Sequence, residues 1–318
     1  MQELSLVTGG AGFIGSHLVE ALTALGRPVR VFDDFSTGMR KNLEKAGAAE
    51  IVTGDVADPA AVEGAMHGVK VVYHLAALAS VARSVETPAV THRACCTGTL
   101  HVLDAARKAG VRRLVFAASS SAYGGASIAD GQKEDAPMRP LSPYAAAKLA
   151  GELYLKAFAH TYGIETVSLR FFNIFGPRQR ADSPYSGVIA LFTAAMAAGK
   201  RPGVHGDGLQ SRDFTFVSNA VQALMKAAEA KGVSGNVYNV GTGSSITVLD
   251  LIAALNKLLG TDLKPLFAPP RAGDVRFSRA DISRTRRDLG YNPDVPFLDG
   301  LGRTLQWYRD VQTATRAA

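Results

Sequence analysis

Two rhythms of apolar and polar residues alternate along the N-terminal third of the chain. Short runs that are apolar at nearly every position read as strands: Leu4–Thr8, Val29–Phe32, Glu50–Thr53, Val69–Leu75 and Leu114–Ala118. Between them lie stretches with a helical period. Phe13–Leu25 places Ile14, Leu18, Ala21, Leu22 and Leu25 on one face, and a longer helix is expected over about Pro88–Lys108. A strand apolar at almost every position is buried on both faces, which requires helices above and below it. The rhythm therefore predicts a doubly wound α/β fold around a parallel sheet. A further helix, Tyr144–Tyr162, leads into a strand at Thr166–Phe171.

After Asn173 the texture changes. Phe175-Gly-Pro-Arg-Gln and Ala181-Asp-Ser-Pro are loop-like. Helices are expected at about Val188–Ala198, Asn219–Lys231, Leu249–Leu259 and Leu298–Val311, with two proline-rich stretches, Pro265–Arg271 and Pro293–Pro296, between the last two. The strand Val237–Val240 is expected to return to the first sheet. No repeat or low-complexity linker divides the chain. The prediction is a first domain of residues 1–173, rejoined by 214–243, and a smaller, discontinuous C-terminal α/β domain of 174–213 and 244–318.

Composition narrows the class. A chain of 318 residues with 47% apolar and 20% charged residues is a globular protein of two domains, or one large unit with an appendage. No apolar run reaches the roughly 18 residues of a membrane span. The N-terminus enters a strand with no basic n-region, so a cytoplasmic protein is expected. Cys95 and Cys96 are adjacent and cannot build a disulfide framework, which fits a reducing compartment. The histidines show no HxxH or HExxH spacing, so no metal is expected. The net charge of +7 suits nucleic acid or an anionic small molecule. No RNP, zinc-finger or basic-helix pattern appears, and the densest basic group is only Arg284, Arg286 and Arg287, so nucleic acid is not expected.

The strongest chemical signal follows the first strand. Gly10-Ala-Gly12-Phe-Ile-Gly15 matches GxGxxG, and Gly9, Gly12 and Gly15 match the shorter GxxGxxG. These glycines permit a tight turn and a close approach of backbone to a diphosphate, which the following helix N-terminus attracts. An acid closes the second strand: Asp33, 18 residues after Gly15, can accept both ribose hydroxyls of NAD and repel a 2′-phosphate. Asp33 and the Asp34 that follows it disfavour NADP, although Arg40 and Lys41 lie beyond. Asp55, with Val56 beside it, is placed to meet the adenine. Strand, glycine turn, helix and acid together predict a Rossmann-type sheet holding NAD.

Tyr144-Ala-Ala-Ala-Lys148 places a phenol and an ammonium on one helix face. A nearby cation favours the phenolate, and a phenolate can take a proton from a hydroxyl as hydride leaves the same carbon. Ser119-Ser-Ser-Ala-Tyr-Gly closes a strand at its carboxyl end, where ligands bind in such sheets. Ser119 is the first choice to share that proton, and Ser120 the second.

At these residues the chain resembles the extended short-chain dehydrogenases/reductases, and within them the UDP-hexose 4-epimerases. The marks run from Leu4 to about Tyr308: Thr8-Gly-Gly-Ala-Gly-Phe-Ile-Gly, Asp33-Asp34-Phe-Ser-Thr-Gly, His74-Leu-Ala-Ala, Ser119-Ser-Ser-Ala-Tyr-Gly, Ser142-Pro-Tyr-Ala-Ala-Ala-Lys, Arg170-Phe-Phe-Asn-Ile-Phe-Gly-Pro-Arg-Gln, Ser211-Arg-Asp-Phe and Arg271-Ala-Gly-Asp-Val-Arg. The resemblance implies tightly held NAD, with Phe13, Ile14, Ser36, Gly38, Leu75, Ala76, Ala77 and Phe171 joining the cofactor residues. It implies a UDP-sugar bound by Ser80, Ser120, Ser121, Asn173, Gln179, Gly187 and Val188. Arg212 and Arg271 would clamp its phosphates, and Asp274 would hold its ribose or order Arg271. Tyr144 would deprotonate the C4 hydroxyl, Ser119 and Lys148 assisting. It also implies a homodimer, formed through the helices about Pro88–Lys108 and Tyr144–Tyr162. In the resembling enzymes a large residue at the position of Ser278 excludes an N-acetyl group, so small Ser278 and Gly187 imply a pocket that admits UDP-GlcNAc and UDP-GalNAc.

Two departures carry weight. Cys95 stands where the group usually has an asparagine that touches the cofactor. The related dehydratases need an Asp-Glu pair directly after the catalytic hydroxyl, and the decarboxylases a Glu in that loop; here Ser120 and Ser121 stand there. The alternatives remain a UDP-glucuronate 4-epimerase, a dehydratase or decarboxylase, and a non-catalytic NAD-binding regulator.

Overall fold

A computed structural model describes residues 3–125, 131–181, 187–270 and 275–317. Its strands are β1 (Ser5–Thr8), β2 (Val29–Asp33), β3 (Glu50–Thr53), β4 (Val71–His74), β5 (Arg113–Ser119), β6 (Glu165–Phe171), β7 (Ile174–Phe175), β8 (Gly203–His205), β9 (Ser211–Arg212), β10 (Thr215–Phe216), β11 (Asn236–Val240), β12 (Ile246–Thr247) and β13 (Leu266–Ala268). Its helices are α1 (Phe13–Ala24), α2 (Pro59–Ala65), α3 (Val81–Glu86), α4 (Pro88–His92), α5 (Gly98–Lys108), α6 (Pro143–Tyr162), α7 (Val188–Ala197), α8 (Val217–Glu229), α9 (Val248–Leu259), α10 (Ser283–Leu289) and α11 (Phe297–Ala317).

Seven strands form one sheet in the order β11-β6-β5-β4-β1-β2-β3, every neighbour parallel. The chain order reverses between β1 and β4, and a crevice opens outside the carboxyl ends at such a switch point. Thr8 pairs with Phe32 on one side and His74 on the other. β5 runs on past Phe116, the partner of His74, to reach Ser119. That overhang carries the serine beyond the edge of the neighbouring strand.

Alternate residues of each strand serve opposite faces, which explains why the strands read as continuously apolar. Val7, Val31, Val115 and Val167 pack with Leu18, Val19 and Leu22 of α1 and with Ala220, Val221 and Leu224 of α8. Their neighbours Leu6, Phe32, Leu114 and Phe116 pack on the other face, against Val62 of α2, Val102 and Leu103 of α5, and Leu155 and Phe158 of α6. Each fully buried leucine contributes about 1.5–3 kcal/mol. A third cluster lies apart: Ile189, Phe192 and Met196 of α7, Leu251, Ile252 and Leu255 of α9, and Leu301 of α11 enclose Phe175, Phe214 and Phe216. It is framed by two-residue and three-residue strand pairs, β10 with β7, β12 with β9 and β13 with β8.

The sheet and most helices follow the sequence pattern, and β11 does return to pair with β6. The expected helix over Pro88–Lys108 is α4 and α5 joined by a π-helical turn, Arg93–Thr97. A π turn fits one extra residue into the helix and recurs at functional sites. The stretch Pro265–Arg271 is not merely a separator, because β13 inside it pairs with β8. Among the described residues no helix is long and apolar enough to cross a membrane.

Candidate active site

A cavity of about 910 Å³ opens at the carboxyl ends of β1, β2, β4, β5 and β6. Its floor at one end is the turn after β1. Gly9 has φ +69°, and a Cβ there would lie 2.7 Å from the backbone nitrogen of Ala76. A Cβ on Gly15 would lie 2.1 Å from the Gly9 carbonyl oxygen. Gly12 begins α1 with no side-chain cap, and no acid occupies the first turn. The free N–H groups and the positive end of α1 therefore face the cavity, which Gly12, Phe13, Ile14 and Gly15 line. This cradle fits a dinucleotide diphosphate.

Asp33 is buried at the end of β2. One of its carboxylate oxygens accepts from Ala11 N at 2.9 Å, the other from Phe35 N at 2.8 Å. Burial pushes its pKa up, against those two hydrogen bonds. Its remaining lone pairs stay available to ribose hydroxyls. Asp34 accepts from the Ser36 hydroxyl at 2.7 Å, and Asp34 and Ser36 both line the cavity. Gly38 does not line it but packs beneath Asp33, where a Cβ would sit 2.8 Å from Oδ1. Asp55 divides its carboxylate between Ala57 N and an ion pair with Arg93 at 3.0 Å. Asp55, Val56, Leu75, Ala76, Ala77 and Phe171 line the same end.

Tyr144 and Lys148 stand at the start of α6, which Ser142 caps through Ala145 N and Pro143 opens. Tyr144 is half-buried, and the Ser119 side chain is close enough to favour its phenolate. Ser119 in turn shares a 2.9 Å hydrogen bond with Ser121. Lys148 is buried, and its Nζ donates to the Ala117 carbonyl at 2.7 Å and sits 4.7 Å from the Phe116 ring centre. Burial pushes the Lys148 pKa down, with Cys95 and Glu152 opposing. Spacing put both on one face; of the three donors of the ammonium one goes to Ala117, and two stay available to a ligand. Burial and Cys95 push the phenol up from its usual value, and the Ser119 side chain opposes them.

His74 carries a role that the sequence reading left unassigned. It is fully buried, with Nδ1 2.7 Å from Thr8 Oγ1 and Nε2 2.9 Å from Thr99 Oγ1. Thr99 donates its proton to the Cys95 carbonyl, so it accepts from Nε2–H, and Thr8 donates to Nδ1. Thr8 then accepts from Ala76 N at 3.3 Å. The relay ties the cavity wall to the π turn. Burial, helped by the Lys148 charge, pushes the His74 pKa down to about 3. Cys95 does not line the cavity but lies behind it, packed with Leu78, Tyr144 and Ala147.

The other end of the cavity draws on many short segments. Ser80, Ser120, Ser121, Asn173, Gln179, Gly187, Arg212 and Ser278 line it. Val188 does not; it starts α7 behind Gly187. Arg271 and Asp274 lie outside the described residues. Gln179 Oε1 is buried with no hydrogen-bond partner among the described residues. Ser278 is buried rather than a surface hydroxyl, and its N–H donates to the Ser211 carbonyl at 3.1 Å. Asp213 holds this corner together, accepting from Thr242 N at 2.8 Å, Gly243 N at 3.0 Å and Ala280 N at 3.2 Å. Among the described residues the carboxylates lining the cavity are Asp33, Asp34 and Asp55, all at the far end from Tyr144 on the β2–β3 side. Gln132, Arg178 and Arg180 also line the cavity and were not singled out from sequence. Arg178 sits inside the Phe175-Gly-Pro-Arg-Gln mark, which was the available signal.

Comparisons with known proteins agree with this geometry. Residues 5–241 match the model of the NAD dependent epimerase/dehydratase family. A UDP-glucose 4-epimerase of Mycolicibacterium smegmatis is 39% identical over 96% of this chain and 98% of its own. The UDP-glucose 4-epimerase of Thermotoga maritima, solved with UDP-glucose, superposes with a TM-score of 0.93 at 37% identity, covering 97% of this chain and 99% of its own. The UDP-N-acetylglucosamine 4-epimerase of Methanobrevibacter ruminantium, solved with UDP-N-acetylmuramic acid, also gives 0.93, at 36% identity over 98% of this chain and 100% of its own. Relatives of other chemistry align as well, among them a dTDP-glucose 4,6-dehydratase of an Actinoplanes strain at 36% identity over 96% of this chain and 97% of its own.

Proposed function

Starting from the chain's membership of the NAD-dependent epimerase/dehydratase family, with NAD as its cofactor, we propose that it inverts C4 of a UDP-hexose. The observation that carries this reading is the pairing of Tyr144 with Ser119 at the overhanging end of β5, with no carboxylate beside them among the described residues. Elimination of water needs an acid and a base in addition to the tyrosine. The loop after Ser119 offers Ser120 and Ser121 instead, which favours simple inversion over the dehydratase and decarboxylase chemistries.

Bound NAD supplies a hydride acceptor and donor and a positively charged nicotinamide ring. The chain's own residues handle the proton. Tyr144, as phenolate, takes the proton of the C4 hydroxyl and later returns it to the same oxygen. Ser119 donates to the phenolate and shares that proton with the substrate oxygen. Lys148 anchors the start of α6 to β5 through Ala117 O. Asn173, Gln179 and Arg212 bind the UDP-sugar. Asp33, Asp34 and the uncapped end of α1 hold the dinucleotide.

Small Ser278 and Gly187 at the wall support a pocket that takes UDP-GlcNAc and UDP-GalNAc as well as the plain hexoses. We assign 174–213 and 244–318 to the sugar side, consistent with the separate core around Phe175. We assign a homodimer to the face where Val81, Val85, Val90 and Leu153 stand exposed on α3, α4 and α6. The direct test incubates the purified protein with UDP-GlcNAc and UDP-Glc side by side. The expected result is the C4 epimer of each. A 4-keto-6-deoxy sugar or no product from either would overturn the reading.

A further inference from the structure

Segment 176–180 crosses from β7 toward α7, and its ties are unusual in number and direction. Three run to α1. His17 Nε2 meets the Pro177 carbonyl at 3.0 Å, Arg178 donates to Ser16 Oγ at 3.3 Å, and Arg178 also pairs with Glu20. A fourth runs to α11, where the Tyr308 hydroxyl donates to the Gln179 carbonyl. Arg178 itself is held at φ +69°, a left-handed backbone that a non-glycine residue adopts at a cost. The Arg178 side chain is only 14% exposed. Arg178, Gln179 and Arg180 line the cavity together with Gly12, Phe13, Ile14 and Gly15, the first residues of α1.

The charge pattern of α1 explains what such a strap can do. The first turn carries no acid, and the helix begins uncapped, as suits a bound anion. Glu20 is the helix's one carboxylate, and left alone it would oppose an anion at the helix start. Arg178 neutralises it. A guanidinium has five N–H donors, and Glu20 and Ser16 leave others for the cavity that the residue lines. The strained backbone keeps this cation at the wall beside the helix start.

We propose that Arg178 is a cofactor-retention residue: pinned by Glu20 and Ser16, it closes segment 176–180 over the start of α1 and slows escape of the dinucleotide. The inference rests on NAD as the resident cofactor and deepens the functional reading, in which the cofactor stays bound between turnovers. A positioning role of this kind differs from a purely structural one, because it acts on release and not on the stability of the cofactor-free protein.

The test uses the full-length protein loaded with NADH, with no sugar present. Release is followed by fluorescence after dilution into excess NAD. Arg178→Gly removes the guanidinium but keeps the left-handed backbone. It is expected to speed release by about tenfold to hundredfold, the range for hydrogen bonds to a charged group. The melting temperature of the NADH-stripped protein should stay unchanged. Arg178→Lys should fall between, and Glu20→Gln should speed release less than Arg178→Gly. Equal release from wild type and Arg178→Gly overturns the proposal, as does a wild type that sheds NADH as fast as the variants. A stripped Arg178→Gly protein that melts far below wild type also overturns it, since the role would then be structural; the folded Glu20→Gln protein provides the independent check. A protein that retains NADH through Arg178 yet epimerises no UDP-hexose would sink the functional reading and leave this one standing.

Discussion

At the dinucleotide end of the cavity the wall is backbone. Gly9, Gly12 and Gly15 shape it, the N–H groups of α1 face it, and Asp33 is itself gripped by two backbone amides. At the sugar end the wall is side chains, Gln179, Arg212 and Ser278 among them, set on two-residue strands and held by Asp213. The first end admits almost no substitution, because an added Cβ meets main chain that cannot move. The second can change one side chain at a time while the strand pairs beneath it persist. A family with one cofactor and many sugar nucleotides would be expected to divide its site in this way, with fixed recognition on the long sheet and variable recognition on the short pairs.

The largest expected effect tests the junction of the two ends. Tyr144→Phe should keep the fold and the NAD and lose about 10²–10⁴-fold in turnover, measured as kcat under saturating UDP-sugar. Near-normal turnover would remove Tyr144 from the chemistry. Next comes the backbone end. Gly15→Ala drives a Cβ to within 2.1 Å of Gly9 O, and overpacking of this severity costs at least about 3 kcal/mol. Denaturant unfolding should show that loss, together with failure to retain NAD. A variant as stable as wild type would show the turn to be softer than its geometry.

Ser278→Tyr probes the side-chain end. It should cut turnover of the N-acetylated pair by about 5- to 150-fold, the equivalent of ~1–3 kcal/mol of overpacking, and spare the plain hexoses. An equal effect on both pairs would mean that Ser278 does not gate the pocket. A further test separates the two ends by pH. His74 titrates near 3 when folded and near 6.5 when unfolded. The unfolded state therefore takes up the proton first, and stability falls by about 1.4 kcal/mol per pH unit below pH 6.5. Asp213 has the opposite sign: its raised pKa means that its carboxyl favours the fold at low pH and loses that advantage as pH rises through the folded value. Urea titrations of His74→Gln and Asp213→Asn between pH 4 and 7 should flatten and steepen the acid slope respectively.

The dinucleotide end was largely legible in the sequence. A glycine turn between a strand and a helix, with an acid at the next strand end, is a local pattern, and Gly9, Gly15 and Asp33 stand where it placed them. Tyr144 and Lys148 were found by spacing, but spacing fixes only a shared face. It could not show that the ammonium turns to Ala117. The sugar end was less legible because a two-residue strand has no period to detect. β9 and β12 pair only through contacts between distant parts of the chain. Asp213 and His74 were likewise invisible as hubs, since their partners, Thr242 and Ala280 or Thr8 and Thr99, are remote in sequence.

The return of the chain to the sheet also has a consequence for how the protein is made. β6 is complete once Phe171 has been synthesised, but its outer edge is covered only when Asn236–Val240 has followed and paired with it. Throughout that interval a nascent chain presents Val167 and Leu169 on an open parallel edge, and until Glu229 has been made α8 is missing from one face. Unpaired apolar edges of this kind recruit other chains. Ribosomal pausing or truncation within 172–235 would prolong the exposure of that edge.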